Sequence, residues 1–209
     1  MLVSLSWMDL TNVKSKLRDS FDCGDIMTTI YTIGHSNHYI SAFVNLLKAN
    51  EVTTLVDVRS TPYSQYNPQF NKEQLEHYLV QEGVQYTFAG KYLGGRPTDP
   101  TCYKSRKIPS KEETDYLHEV DYDEVAKREW FKRGINWLLR LAEESTVVFM
   151  CSEENPAACH RHHLIAKYLL NEYFDTVQVR HIRGDGMVYG ATSVLESVNE
   201  PQAEKMTLF

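Results

Sequence analysis

The stretch Val147-Val148-Phe149-Met150-Cys151-Ser152-Glu153-Glu154-Asn155-Pro156-Ala157-Ala158-Cys159-His160-Arg161 decides how this chain is read. Its first five residues form a short apolar run of β-branched and aromatic side chains, the pattern of a buried strand. A polar turn follows. Asn155 is a good helix cap and Pro156 a good first helical residue. Beyond them Leu164, Ile165, Tyr168 and Leu169 share one helical face, which predicts a helix over about 156–171. A strand handing over to a helix is the building unit of a parallel sheet, and ligands of such sheets bind beyond the carboxyl ends of the strands. Cys151 stands at that end, facing a helix start that carries His160 and Arg161.

The same alternation extends in both directions. Thr29 to Ile33 reads as a first strand stopped by Gly34, followed by a helix at about 39–49 with Ile40, Phe43, Val44 and Leu47 at helical spacing. Val52 to Val58 is a second strand. Residues 62–70, rich in Pro, Asn and Tyr, form a loop. Asn71 then caps a helix with Gln74 at the capping-box position, and Gly83 ends it. Val84 to Phe88 is a third strand. Residues 90–121 break the rhythm: Gly94-Gly95-Arg96-Pro97 opens a polar stretch long enough to be an insert or lid. A long helix is expected over about 123–143, and a last strand over 177–182. The fold class is therefore α/β: a single open, mostly parallel sheet with helices on both faces, Rossmann-like or flavodoxin-like. Residues 1–26 read as an N-terminal appendage, 27–183 as the core domain, and 184–209 as an irregular C-terminal tail.

Bulk properties narrow the function. A chain of 209 residues suits one domain with a sizeable core. Its net charge of −6 argues against a dedicated non-specific nucleic-acid binder, which is usually basic, although a local basic groove remains compatible. The four cysteines, at 23, 102, 151 and 159, match no zinc ribbon or finger spacing. No secretory signal is visible, and no apolar stretch reaches the roughly 18 residues of a membrane span. These features lead us to expect a cytoplasmic protein with reduced thiols and no membrane partner.

The polar residues at strand ends are the candidate site. Cys151 has three readings: a nucleophile whose thiolate is favoured by Arg161 or His160, a metal ligand together with Cys159 and a His, or a buried small hydrophobe. On a regular helix starting at Pro156, Arg161 lies near the centre of the buried stripe at about 100° per residue. Cys159 and His163 then fall on the opposite face. An inward Arg161 must find Asp57 or a bound anion. His35, after Gly34, is placed to act as acid, base or loop cap, and Ser36 and Asn37 follow it. Arg59 serves an anion or pairs with Asp57. Tyr63, Tyr66 and Phe70 around Asn67-Pro68 either stack on a base or pack the loop. Gly94-Gly95-Arg96 is a weak phosphate-wrapping signal.

Five stretches in order, Tyr31-Thr32-Ile33-Gly34-His35-Ser36-Asn37, Val56-Asp57-Val58-Arg59, Asn67-Pro68-Gln69-Phe70-Asn71, Leu93-Gly94-Gly95-Arg96 and Cys151 to Arg161, resemble the domain of unknown function 488 family. The resemblance spans about residues 29–182. It implies a compact α/β domain and a polar cluster built from these stretches, and no established reaction. Tyr39 stands where a Ser-like cap is expected of the family, and the Tyr63-Ser64-Gln65-Tyr66 loop is less basic than expected. Asp57-Val58-Arg59 also looks like part of a rhodanese, but the ten-residue step from Cys151 to Arg161 does not fit the short Cys–Arg loop of rhodaneses or small phosphatases. The final Met206-Thr207-Leu208-Phe209 looks like the end of a DNA sliding-clamp-binding peptide, with Lys205 where the opening Gln belongs.

The leading expectation is an enzyme acting on an anionic substrate, a nucleotide or nucleic-acid-derived group. Cys151, His35 and His160 are the chemical residues. Ser36, Asn37, Asp57, Arg59, Asn67, Gly95, Arg96 and Arg161 bind the substrate. The alternatives are a non-catalytic module for nucleotides or nucleic acid and a metal-dependent site built from Cys and His. Oligomeric state and cofactor are left open by the residues.

Overall fold

The computed structural model describes residues 27–110 and 115–194. The expected appendage at 1–26 and the clamp-like residues at 206–209 lie outside them. A six-stranded sheet in the order β3-β2-β4-β1-β5-β6 organises the chain. Its strands are β1 (Thr28–Gly34), β2 (Thr54–Asp57), β3 (Gln85–Phe88), β4 (Val147–Cys151), β5 (Val177–Ile182) and β6 (Val188–Gly190). The first five run parallel, and β6 pairs antiparallel with β5 at the edge. This is the open, mostly parallel α/β sheet that the alternating strands and helices predict. The edge strand β6 falls in the stretch expected to be irregular tail.

The two faces follow from the strand order. Helix α1 (Ile40–Ala49) links β1 to β2, and α2 (Lys72–Gln81) links β2 to β3; both connections step toward the β3 edge. The connections from β3 to β4 and from β4 to β5 step the other way. Right-handed crossovers put steps of opposite direction on opposite faces, and the core divides accordingly. One layer packs Phe43, Leu47, Leu75 and Leu79 on Val148 and Met150. The other packs Phe131, Ile135, Leu138, Leu164 and Ile165 on Val147, Phe149 and Cys151. Side chains of a strand alternate in direction, so the run 147–151 sends Cys151 to the second face, beside β1 and directly opposite Gly34.

Several expected elements are shorter or broken. The long helix at 123–143 is two, α5 (Tyr122–Ala126) and α6 (Glu129–Glu144). Asn71 occupies the N-cap of α2, but its side chain makes no cap bond and instead accepts from the Ser64 N–H at 2.7 Å. The stretch 90–121, expected as an insert or lid, is built into the core. It contains α3 (Gly90–Leu93) and α4 (Tyr116–Glu119), is closed by a bridge between Tyr103 and Val120, and buries Leu93, Cys102, Tyr103 and Val120 in the core.

The largest difference is at residues 156–172. Asn155 does cap the start, accepting from the Ala157 N–H at 3.0 Å, but the helix there is a single 3₁₀ turn, Pro156–Ala158. Cys159 is extended, with φ −142 and ψ 140. A π-helix, Arg161–Ala166, follows and runs into α7 (Lys167–Glu172). A π turn is wider than an α turn and is uncommon outside functional segments. Here it lets the consecutive residues Arg161 and His162 both bury completely against the sheet. No helix among the described residues is long and apolar enough to cross a membrane.

Candidate functional site

Because the regular helix does not begin at Pro156, Cys159 is not on the face opposite Arg161. It turns inward and meets Cys151. The Nδ1 of His160 lies 3.5 Å from the Cys151 sulfur and 3.8 Å from the Cys159 sulfur. The three donor atoms all sit within 4.8 Å of one another, and the three residues are at most 8% exposed. The sulfurs behave as one coupled pair. Burial opposes ionisation of Cys159, but the hydrogen bond from Cys151, the His160 ring and the Arg161 cation outweigh it and hold that thiol well below its ordinary range. Cys151 is the partner that keeps its proton, because it donates to Cys159 and is itself buried.

Arg161 is wholly buried. Its Nη1 donates to the Glu153 carbonyl, Nη2 to the Glu154 carbonyl at 2.6 Å, and Nε to Thr32 Oγ1 at 3.1 Å. The guanidinium therefore clamps the β4 loop onto β1, and of the two partners expected for it, Asp57 or a bound anion, the pair with Asp57 is not formed. The polar chain continues beneath it: Thr32 Oγ1 lies 2.9 Å from His181 Nδ1, and His181 Nε2 lies 3.1 Å from His162 Nδ1. With Thr32 accepting from Arg161, its hydroxyl donates to His181, whose Nε2–H donates onward to His162. Burial holds His181 at about 3 and His162 at about 4, so both are neutral.

Asp57 and Arg59 form a second cluster, on the α1/α2 face. Arg59 binds the Asp57 carboxylate through Nη2 at 2.6 Å and Nε at 2.9 Å, and its Nη2 also donates to the Phe70 carbonyl at 2.8 Å. Tyr86 donates to the same carboxylate at 2.9 Å. His35 stacks on Phe70 with ring centroids 4.4 Å apart. Its Nδ1 donates to the Ser36 carbonyl at 2.8 Å, which leaves Nε2 to accept from Arg59 at 3.3 Å. Burial, with the Arg59 charge, lowers His35 to about 4. The donors of Arg59 are thus largely consumed inside the protein. The two clusters touch through the backbone, where the His35 N–H donates to the Cys151 carbonyl at 2.9 Å.

The insert covers the thiol cluster. Gly95 lies against His160: a Cβ at position 95 would come within 2.6 Å of the ring. Arg96 is exposed, and its guanidinium lies 4.2 Å from the centroid of Tyr116. It makes no ion pair among the described residues. Tyr122 is close enough to both sulfurs that they add to burial in raising its phenol. Ser36 adopts φ 44 at the turn, and Asn37 is exposed beside it. Asn67 is held by its backbone, its N–H donating to Ser64 Oγ at 3.1 Å.

The convergence expected at one site is therefore split. Cys151, His160, Arg161 and Gly95 come together on one face, and His35, Asp57 and Arg59 on the other. Cys159, Thr32, Tyr86 and Tyr122 are participants that the sequence reading missed or set aside. Thr32 alternates inside an apolar strand, where a buried hydroxyl needs a partner; that was a usable signal. Nothing in the local pattern marks Tyr86 or Tyr122.

No curated protein and no solved structure matches the chain. A family profile, described as "Domain of unknown function DUF488", matches residues 39–169, more than half of the sequence. The match takes in Val56 to Arg59, Asn67 to Asn71, Leu93 to Arg96 and Cys151 to Arg161, and leaves Tyr31 to Asn37 before its start. With the thiol cluster and the Asp57–Arg59 pair both inside the matched region, the chain belongs to the domain of unknown function DUF488 family.

Proposed function

We propose that this protein is an enzyme acting on an anionic substrate, with Cys151, Cys159 and His160 as its reaction centre. The observation that carries this reading is the packing of two thiols and one imidazole nitrogen at the carboxyl ends of β4 and β1, beneath the insert. Structural cysteines have no need of such neighbours. Arg96 is the cation left to meet a substrate anion, because Arg59 is engaged with Asp57 and Arg161 with loop carbonyls. Ser36 and Asn37, at the turn beside the Cys151 carbonyl, line the approach from β1. Nucleotides and nucleic-acid-derived groups supply the negative charge that Arg96 would meet. A cytoplasmic setting would keep both thiols reduced.

The test compares two alkylating reagents of the same reactivity class on chelator-treated protein, with cysteines resolved by mass spectrometry. Iodoacetate is anionic and iodoacetamide is neutral. At Cys151 or Cys159 the iodoacetate-to-iodoacetamide rate ratio should exceed that of a free cysteine derivative by about tenfold, the effect of a favourable local potential. In Arg96→Ala it should fall toward the free value. Equal ratios in both proteins would overturn the anionic substrate, and inert thiols would make the cluster structural.

A second reading rests on a different surface. Tyr63 is 65% exposed and Tyr66 is 89% exposed, on the loop that Gln69 ties to the His38 carbonyl at 3.1 Å. Exposed aromatics on a held loop suit stacking on unpaired bases. Titration with a labelled single-stranded oligonucleotide at low salt should then give binding that is lost in Tyr63→Ala/Tyr66→Ala; no binding at low salt would end this reading.

A further inference from the structure

The geometry points to a zinc ion held by the sulfurs of Cys151 and Cys159 and by Nδ1 of His160, with no fourth Cys, His, Asp or Glu ligand beside them among the described residues. A single imidazole nitrogen carries one lone pair or one N–H, so it serves one sulfur in a hydrogen bond. Here it approaches two, at 3.5 and 3.8 Å. In a tetrahedral zinc site, Zn–S bonds near 2.3 Å and Zn–N bonds near 2.0–2.1 Å set a sulfur-to-nitrogen edge of about 3.6 Å. Both separations lie at that edge. Two thiolates and an imidazole are also a donor set that selects zinc over magnesium or calcium.

Two further features fit. The other ring nitrogen, Nε2 of His160, is buried with no partner among the described residues. The ring is seated against Gly95, and its hydrogen-bonding edge is the Nδ1 edge that faces the two sulfurs. Arg161 is a wholly buried cation that forms no close ion pair among the described residues, the Glu154 carboxylate feeling its charge only through space, and it lies close enough to act on both sulfurs. A buried cation requires compensation, and metal-bound thiolates supply it.

Loading is balanced without an oxidant. Zinc takes the place of the one proton that the coupled thiol–thiolate pair holds, which leaves to solvent, and the imidazole binds as the neutral base. Two thiolates cancel the charge of zinc, and Arg161 leaves the centre with one net positive charge. The fourth position therefore favours an anion: a hydroxide, or an anionic group of a substrate. Three protein ligands, the number found among the described residues, with one place left is the arrangement of catalytic zinc, as opposed to structural zinc. This inference concerns the same three side chains as the proposed reaction centre, but its test reads metal and not turnover.

The experiment uses the full chain purified without chelator. Elemental analysis should give one zinc per chain, retained through dialysis. Cys159→Ser and His160→Gln, checked for folding by circular dichroism, should lose it, and Cys102→Ser should keep it. Chelator-treated parent titrated with cobalt(II) should develop sulfur-to-cobalt charge-transfer absorption saturating at one equivalent. If the variants fail to fold, the parent still decides the matter: added zinc should slow alkylation of Cys151 and Cys159 by about 10-fold or more, because the metal occupies the thiolate that would attack the reagent, while Cys102 is unaffected. No retained zinc together with no cobalt band would overturn the inference, as would metal retained in folded Cys159→Ser. Zinc present with no iodoacetate preference would leave the metal centre standing and remove the anionic substrate; the converse would remove only the metal.

Discussion

Asp57 and Arg59 are separated by one residue at the end of β2, and each is nearly inaccessible, at 0% and 3%. A buried ion pair is tolerated when its geometry is good and its remaining donors and acceptors are satisfied. Both conditions hold: the contact is bidentate, Tyr86 binds the carboxylate, and Phe70 and His35 take the other Arg59 donors. Removing one member leaves the other charged and buried. Asp57→Asn should therefore lower unfolding stability by about 3–5 kcal/mol, measured as a shift of the urea midpoint. A loss under about 1 kcal/mol, the size expected of a surface pair, would show that water reaches Arg59. This pairing was one of the two readings open for Arg59 on sequence, since a carboxylate two residues from an Arg serves a ligand or serves the Arg itself. Only the third dimension, which brings Phe70 and Tyr86 to the same groups, separates them.

At the scale of elements, the loop after β4 and the π-helix behind it are held to β1 by contacts that leave little space. Gly34 is required there because a Cβ would stand 1.8 Å from the Glu153 carbonyl oxygen, so the loop can return over β1 only at a glycine. The hydroxyl of Thr32 joins Arg161 to His181. Thr32→Val preserves the shape of the strand but strands a guanidinium N–H and a ring nitrogen in the interior. It should cost about 1–3 kcal/mol in urea unfolding, and Arg161→Ala in the Thr32→Val background should cost less than in the parent because the two share that bond. Strictly additive losses would mean the contact contributes nothing. The periodic elements were legible: β1, β4, β5, α1 and α2 follow from runs and spacing alone. The segment 156–172 was not, because a fixed 100° step assumes one continuous helix. Two sharp changes of helix type, neither carrying a sequence signature, turn Cys159 from the outer face to the inner one. The cluster was half visible, with Cys151 found by its place at a strand end and Cys159 misplaced by the wheel.

At the scale of the whole molecule, the sheet order gathers the polar residues at one edge while the two faces keep them in separate layers, and both layers bury histidines in the neutral form. His35 is held at about 4 and His181 at about 3, chiefly by burial. An unfolded histidine titrates near 6.5. Below that value the unfolded chain binds protons that the folded chain refuses. The stability these residues contribute is therefore complete above about pH 6.5, falls as the pH drops, and is exhausted once the folded-state values are passed. Between pH 7 and pH 5 each should cost about 2 kcal/mol, so the parent should lose a large part of a typical stability of about 5–15 kcal/mol over a range in which most carboxylates stay ionised. The Glu154–Arg183 pair responds lower on the scale. Its carboxyl is held at about 2, chiefly by the hydrogen bond from Arg183, so its contribution is present above the ordinary carboxyl range and is lost only as the pH falls toward 2. Urea midpoints of the parent and of His181→Asn at pH 7 and pH 5 check the sign and the source. The parent should drop steeply, and the variant, though weaker at pH 7, should drop by about 2 kcal/mol less. Parallel losses in the two proteins would place the acid sensitivity in groups other than this buried histidine.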